Sequence, residues 1–387
     1  MKILRVIPSM DPRHGGPNQG IRNSIPALQQ LGVENEVVCM DDPSEPFLQN
    51  VSFVIHAIGK SKTGWAYNST LSSWLKNYIA DYDVVIVHGL WLYHSFLTIR
   101  IAGKLKGKKP KIYVMPHGML DPWFQKDKSR RFKSLRNEIY WNLIEKHVVN
   151  NADGLFFTCE QELLLARETF KGYNPKKELN VGYGIQAPPE YMEKFVQTVA
   201  GNPYWLFLSR IHEKKGVDLL IGAYKQLKER NPDIPDLVIA GPLESSYAKN
   251  IVGMAGGDNK IHFPGLLQGN DKWAAFYGAE VFILPSHQEN FGIAVVEALA
   301  CGVPVLISNQ VNIWREIENG GGGIIAEDTL KGTYTAMEKW LNYSLAEKNR
   351  FKLSAREVFS ENFSIGNAAN KMTEIIFSEV GNANNFK

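Results

Sequence analysis

The stretch Val281–Pro304, VFILPSHQENFGIAVVEALACGVP, predicts a buried strand, a polar loop and a helix in immediate succession. Its apolar start is closed by Pro285, as at the carboxyl end of a buried strand. Gly292 then opens a segment with helical apolar spacing, which ends at Gly302. Such a unit presents the free N–H groups of a helix start beyond a strand end, where an anionic group is favoured. Because Glu289 and Glu297 flank this position, we expect a ligand that combines phosphate with hydroxyl groups.

Composition narrows the classes of function. The chain has 387 residues, and its 43 basic against 40 acidic side chains argue against nucleic-acid binding driven by charge. Cys39, Cys159 and Cys301 lie far apart, without metal-ligand spacing, and are predicted to be buried, reduced thiols of a cytosolic protein. The first residues resemble a strand rather than a signal peptide, and no apolar run reaches the ~18–20 residues of a membrane helix. Any membrane contact is therefore expected to be peripheral.

Short apolar runs alternate with longer amphipathic ones along the whole chain, which predicts α/β structure with two doubly wound parallel sheets. We expect a first domain at 1–186, a linker at 187–203 and a second domain at 204–364, followed by a last amphipathic helix at 365–387. Ligands of such sheets bind beyond the carboxyl ends of the strands. The predicted strands are Ile3–Ile7, Glu36–Cys39, Val84–Val87, Ile112–Met115, Gly154–Thr158, Trp205–Leu208, Leu237–Ala240, Ile261–Phe263, Val281–Leu284 and Val305–Ile307.

In the first half, candidate residues follow three strand ends. Gly15 and Gly16 allow close backbone approach to a ligand, although a plain turn explains them equally well. Two His-Gly pairs stand at the ends of predicted strands. For each histidine there are two interpretations, packing within the fold and ligand binding. The candidates here are His14, Gly15, Gly16, His88 and His117.

Residues 100–136 are distinctly basic, and the apolar residues after them follow helical spacing. One interpretation is a solvated helix with a buried apolar stripe. The other is a surface for anionic lipid headgroups or a phosphate-bearing acceptor, with Arg130 and Arg131 on the acceptor side. The stripe consists of Phe132, Leu135, Ile139, Tyr140, Leu143 and Ile144.

In the second half, Arg210 and Lys215 stand just beyond a strand end, in SRIHEKKG. Two cations at that place can neutralise a diphosphate, although surface salt bridges are an equal alternative. Turns at Gly241 and Leu266 can pass close to a flat ring. The Gly320–Gly323 run is expected to be a flexible loop.

Together these residues resemble the retaining glycosyltransferases of family 4, over nearly the whole chain. The most specific feature is the Glu-x7-Glu pattern of Glu289 and Glu297 after Pro-Ser and before Ala-Cys-Gly-Val-Pro. The resemblance implies the GT-B architecture, in which two Rossmann-like domains face each other across a cleft and a C-terminal helix crosses back to the first.

The resemblance also implies roles for single residues. Arg210 and Lys215 would hold the donor diphosphate, Glu297 the ribose and Glu289 the transferred sugar. His117 would reach the donor sugar, and the Gly15-Gly16 pair matches the first-loop glycines. The remaining donor-binding candidates are Gly241, Leu266, Asn290, Phe291, Gly292 and Ile293.

The implied reaction moves a hexose from a nucleotide sugar, UDP-sugar before GDP-sugar, to a glycan or lipid-linked acceptor, in cell-surface polysaccharide or lipopolysaccharide synthesis. No cofactor or metal is expected, and the implied location is the cytoplasm, with contact at the inner face of the plasma membrane. Two alternatives stay open: a nucleotide-sugar epimerase or hydrolase of the same architecture, and a non-catalytic binding subunit of a polysaccharide assembly system.

Overall fold

The computed structural model describes residues 1–126, 131–190 and 204–384. Contacts within the chain define two compact units, one of residues 1–184 with 365–387 and one of residues 185–364. Each unit contains a single sheet in which every strand is parallel to its neighbours.

The first unit has a seven-stranded sheet in the order β3-β2-β1-β4-β5-β6-β7. Its strands are β1 (Lys2–Ile7), β2 (Glu34–Cys39), β3 (Val54–Ala57), β4 (Val84–His88), β5 (Lys111–Met115), β6 (Gly154–Phe157) and β7 (Glu178–Asn180). The helices along it are α1 (Gly16–Gln30), α2 (Ser69–Tyr78), α3 (Tyr93–Ala102), α4 (Trp123–Lys126), α5 (Arg131–Tyr140), α6 (Lys146–Asn151) and α7 (Glu160–Ala166). A π-helical turn, Trp141–Glu145, joins α5 to α6.

The second unit has a six-stranded sheet in the order β10-β9-β8-β11-β12-β13. Its strands are β8 (Tyr204–Leu208), β9 (Asp236–Ala240), β10 (Ile261–Gly265), β11 (Ala279–Leu284), β12 (Val305–Ser308) and β13 (Gly323–Ala326). Its helices are α8 (Val217–Arg230), α9 (Ser246–Ala255), α10 (Gly269–Gly278), α11 (Ile293–Ala300), α12 (Trp314–Asn319), α13 (Leu330–Asn342) and α14 (Leu345–Val358).

Central strands are mostly apolar because helices cover both faces of a parallel sheet. All five residues of β4 are buried. In the neighbouring strands, Tyr113 and Phe156 stack with ring centroids 4.2 Å apart. The carboxyl ends of these strands are thereby fixed by a rigid core, and the loops that follow them carry the candidate site residues.

The last helix, α15 (Ile365–Asn384), belongs to the first unit. Its Ala369, Met372 and Ile376 are buried in one apolar cluster with Ile3 of β1 and Leu28 of α1. The prediction that the C-terminal helix returns to the first sheet is therefore confirmed.

All ten predicted strands are present, and the structure adds β3, β7 and β13. The expectation of a flexible loop at Gly320–Gly323 is wrong at its end, because Gly323 begins β13, where it pairs with Val305. The three cysteines are buried free thiols, as predicted. Among the helices of the described residues, none combines the length and apolarity that a membrane crossing requires.

Candidate functional site

The strand–loop–helix segment predicted at the centre of the site forms as expected and consists of β11, a loop and α11. Gly292 caps α11 with φ 76° and ψ 62°, a left-handed conformation that glycine adopts without steric cost. The cap supplies no side-chain acceptor. Since the first N–H groups of a helix have no partner within it, the start of α11 can bind an anion.

Glu289 is held in this loop through its backbone. Its N–H donates to the Gln310 carbonyl at 3.0 Å, and its own carbonyl accepts from the Asn312 N–H at 3.0 Å. Both partners lie in the loop after β12, which sequence reasoning did not connect with the site. The loop after β12 therefore fixes the direction of the Glu289 side chain.

Lys215 forms an ion pair with Glu289, and both side chains are largely buried. Burial lowers the pKa of the Lys215 ammonium, and the nearby cations Arg210 and Lys214 lower it further, to about 7. The Glu289 carboxylate opposes this shift because it favours the charged ammonium. The two predicted residue sets, SRIHEKKG and the Glu-x7-Glu stretch, thus meet at one salt bridge.

Gly216 explains how Lys215 comes this close. It has φ 64° and caps α8, and a Cβ built on it would lie 2.1 Å from the Pro285 carbonyl oxygen. Around this contact, the Ser286 hydroxyl and the His287 N–H donate to the Lys214 carbonyl at 3.0 and 2.8 Å. Only a glycine lets the loop after β8 pack so closely on the loop after β11.

Arg210 is exposed immediately after β8. Within the described ranges, no side chain or backbone group hydrogen-bonds or ion-pairs with its guanidinium. Its positive charge nevertheless lowers the pKa of Lys215. A guanidinium without a partner, beside the Lys215 ammonium, is suited to bind a phosphate group.

Glu297 points from α11 to Lys272 of α10, whose Nζ lies 2.6 Å from Oε1. Burial raises the pKa of the Glu297 carboxyl, and the ammonium beside it works in the opposite direction. Sequence reasoning missed Lys272, for which the one signal was its place in the first turn of a helix after a strand end. The pair leaves Oε2 of Glu297 as the second acceptor oxygen.

The other predicted donor-binding residues of this unit have distinct surroundings. Leu266 is 59% exposed just after β10, an uncommon position for leucine. Gly241 is buried, and a Cβ there would lie 2.1 Å from the Ser209 carbonyl, so its glycine serves packing. The side-chain oxygen of Asn290 accepts a hydrogen bond from Nδ2 of Asn312 at 3.4 Å. Phe291 is buried, and its ring packs edge-on against Phe363. It directly precedes Gly292, the cap of α11, and Ile293, the first residue of that helix.

In the first unit, the two predicted His-Gly pairs meet. Arg5 Nη1 lies 3.4 Å from His88 Nε2, and His88 Nδ1 lies 2.9 Å from His117 Nε2. Since a guanidinium can only donate, His88 accepts on Nε2 and donates from Nδ1, which leaves the proton of neutral His117 on Nδ1. Burial and the Arg5 charge lower the pKa of His117 to about 3, so the ring is a neutral donor. His88 is buried and therefore positions His117.

The turn at His117 has a strained backbone and is held by a hydrogen bond to a buried carboxylate. His117 has φ 53°, and the N–H of Gly118 donates to the buried carboxylate of Glu162, which sequence reasoning missed. Gly15 has φ 95° and caps α1 beside Gly16. Arg130 lies outside the described residues, as do the side chains of His14 and Arg131.

Comparison with known families gives two matches. The model of glycosyl transferases group 1 matches residues 192–358, and the model of glycosyltransferase family 4 matches residues 14–177. Together the two models span most of the chain.

Curated relatives match over shorter stretches. A D-inositol 3-phosphate glycosyltransferase of Arthrobacter sp. (strain FB24) is 31% identical over 33% of this chain and 31% of its own length. The mannosylfructose-phosphate synthase of Agrobacterium fabrum is 28% identical over 32% of this chain and 29% of its own. The chain thus spans about a third of the length of these relatives.

Solved structures match the complete fold. Sucrose-phosphate synthase from Thermosynechococcus elongatus aligns with a TM-score of 0.75 over 98% of this chain and 99% of its own, at 19% identity. Anabaena HepE, solved in complex with UDP and glucose, aligns with a TM-score of 0.72 over 98% and 100%, at 16% identity. These likenesses confirm the predicted GT-B fold.

Proposed function

The chain belongs to glycosyltransferase family 4, and from that premise we propose that it is a retaining transferase that moves a hexose from a nucleotide sugar, a UDP-sugar before a GDP-sugar. The observation that carries the proposal is the unpaired Arg210 beside the Lys215–Glu289 pair, in the same unit as the uncapped start of α11. This combination offers cations and N–H donors to a diphosphate and a carboxylate to hydroxyl groups.

The diphosphate is assigned to Arg210 and Lys215. The guanidinium supplies two parallel donors and the ammonium a point charge. N–H groups at Phe291, Gly292 and Ile293 add the dipole of α11. When phosphate arrives, Lys215 exchanges part of its contact with Glu289 for the phosphate oxygens, which frees that carboxylate to bind the sugar.

The remaining parts of the donor are assigned by their chemistry. Glu289 accepts hydrogen bonds from hydroxyls of the transferred sugar, and Oε2 of Glu297 accepts from the ribose diol while Lys272 holds Oε1. Leu266 offers an exposed apolar surface to the base. Support for UDP comes from Anabaena HepE, a protein of the same fold that was solved with UDP and glucose.

In the proposed reaction, the bond between the anomeric carbon and the phosphate oxygen breaks as the acceptor oxygen bonds to that carbon from the same face. The acceptor proton passes to the leaving phosphate. Negative charge develops on the diphosphate, and preorganised cations and N–H groups stabilise it in the transition state. The chain's contribution is therefore leaving-group stabilisation, and no side chain is assigned as a nucleophile.

For the first unit we propose the acceptor role, with 1–186 and 365–387 as the acceptor domain, 204–364 as the donor domain and 187–203 as the linker. The neutral Nδ1–H of His117 can donate a hydrogen bond to a sugar hydroxyl, which suits the role that the family resemblance implies for it. The proposed acceptor is a glycan or a lipid-linked molecule at the inner face of the plasma membrane, in cell-surface polysaccharide synthesis. Residues 100–136 would contact the membrane.

A thermal-shift screen with UDP, GDP, ADP and their sugars identifies the donor, because a ligand that binds the folded state raises the melting temperature. The proposal predicts the largest shift with UDP or a UDP-sugar. Absence of any shift with every nucleotide would contradict it.

Transfer is then measured with the identified donor, comparing Glu289→Ala with Glu357→Ala, which removes an exposed carboxylate of α14. The first variant should lose nearly all transfer while it stays folded, and the second should keep it. Incubation with donor alone separates the rival class, since an epimerase converts the donor without an acceptor.

A further inference from the structure

Four of the six residues in the apolar stripe along α5 and the π-helical turn are exposed, which contradicts the interpretation of them as buried; Tyr140 and Ile144 are half-buried. Phe132, Leu135, Ile139 and Leu143 are 92%, 63%, 54% and 70% exposed. Their spacing places them on one face of the helix, and we call them the apolar ridge. The opposite face is anchored, because Trp141 is fully buried there. Four large apolar side chains in one exposed row are uncommon on a monomeric soluble protein and mark an interaction surface.

A basic pocket lies farther along the same part of the first unit. It is a cavity of about 700 Å³ whose lining includes five cations and one carboxylate, Asp153. Asp153 lies 3.9 and 4.0 Å from the ammonium groups of Lys111 and Lys176. The other cations of the pocket, Arg100, Lys104 and Lys109, have no acidic partner among the residues that the structure describes. The pocket therefore has a net positive charge available to an anion.

The ridge leads to the pocket. Leu143, the last residue of the ridge, and His147, which lines the pocket, are both exposed and four residues apart on one continuous helical stretch. Side chains at this spacing are neighbours, about 6 Å apart. The apolar and the cationic surfaces are therefore contiguous.

We propose that the apolar ridge and the basic pocket together form a docking surface for an anionic phospholipid bilayer, with headgroup phosphates in the pocket and the ridge in the acyl boundary. A helix with an apolar face and flanking cations binds in this way, parallel to the membrane plane. The ridge extends from Phe132 to Leu143, eleven residue steps or roughly 16 Å along the helix, which suits that orientation. Self-association through this face would bring two positively charged pockets together, so charge favours the bilayer over a second copy.

This inference deepens the membrane part of the proposed function, and its test uses neither donor nor acceptor. The full chain is sedimented with vesicles of phosphatidylcholine alone or of equimolar phosphatidylcholine and phosphatidylglycerol. We expect binding to the anionic vesicles at low salt and its loss at high salt. UDP affinity, measured on the same samples, reports separately on the donor site.

Two double variants separate the two parts of the surface. Phe132→Ser with Leu143→Ser should weaken anionic-vesicle binding at least tenfold, on the order expected for two buried apolar anchors. Arg100→Gln with Lys109→Gln should weaken it roughly fivefold per charge. All four residues are exposed, so the variants should keep the wild-type melting temperature.

Matched controls lie in the second unit. Val252→Ser with Met254→Ser removes exposed apolar surface from α9, and Lys249→Gln removes an exposed charge there; both should bind vesicles as the wild type does. Four outcomes would overturn the proposal: no binding to anionic vesicles, undiminished binding by the ridge variant, a ridge variant that changes only the oligomeric mass, or binding of inorganic phosphate without any vesicle binding. The last of these would assign the pocket to a free anion.

Discussion

The substitution Gly216→Ala tests whether the packing of two loops sets the position of Lys215. The added Cβ would lie 2.1 Å from the Pro285 carbonyl oxygen, while real Cβ contacts are at least 3.0 Å, so backbone must shift by about 1 Å. Overpacking of this kind costs about 1–3 kcal/mol. The left-handed φ of 64° adds about 1–2 kcal/mol for alanine. The free energy of unfolding should therefore fall by about 2–5 kcal/mol, or on the order of 10 °C in melting temperature.

Gly257→Ala is the matched control, because Gly257 has φ 72° and no atom within 4 Å of its Cβ position. It should lose only the conformational part, about 1–2 kcal/mol. Calorimetry with UDP should show weakened binding by Gly216→Ala and normal binding by Gly257→Ala, since only the first displaces Lys215. Equal melting temperatures and equal UDP affinities for the two variants would refute the reasoning.

Three further outcomes are expected. UDP affinity should fall as pH rises from about 6 to about 8, because Lys215, with its pKa lowered to about 7, loses the proton that attracts phosphate; a flat profile in calorimetry would contradict this. Lys272→Met should raise the pKa of Glu297 further and lower the melting temperature by more than the exposed control Lys339→Met does, because a buried carboxylate loses its cation. Nitrogen NMR should find the His117 ring neutral and protonated on Nδ1 down to about pH 4, one unit above its pKa of about 3; an imidazolium at pH 6 would refute the hydrogen-bond chain from Arg5.

Much of the fold is predictable from the sequence because central strands of a parallel sheet are continuous apolar runs. The three missed strands are short, and all three lie at sheet edges, where this rule weakens. In β3, all four residues are at least partly exposed, and β7 has only three residues. The Gly run before β13 suggested a loop, although Gly323 is needed there because its Cβ would lie 2.1 Å from the Val305 carbonyl.

The candidate site is predictable where local order determines it and unpredictable where tertiary contacts do. A strand end followed by a helix start is a local pattern, and it made Glu289 and Arg210 candidates for ligand binding. The Lys272–Glu297 pair joins two helices and has no local pattern. The same limit applies to the ridge, since helical spacing of Leu135 and Leu143 reveals a shared face but not whether the fold covers it.

The central claim is that Arg210 and Lys215 bind the donor diphosphate, and calorimetric titration of Arg210→Ala with UDP tests it most directly. Loss of a charge-assisted hydrogen-bond donor is expected to cost about 1.5–3 kcal/mol, or roughly 10–150-fold in Kd. The melting temperature should not change, because within the described ranges the Arg210 guanidinium has no partner to lose. Arg350→Ala, an exposed arginine of α14, should bind UDP as the wild type does. A UDP affinity of Arg210→Ala equal to that of Arg350→Ala would contradict the account.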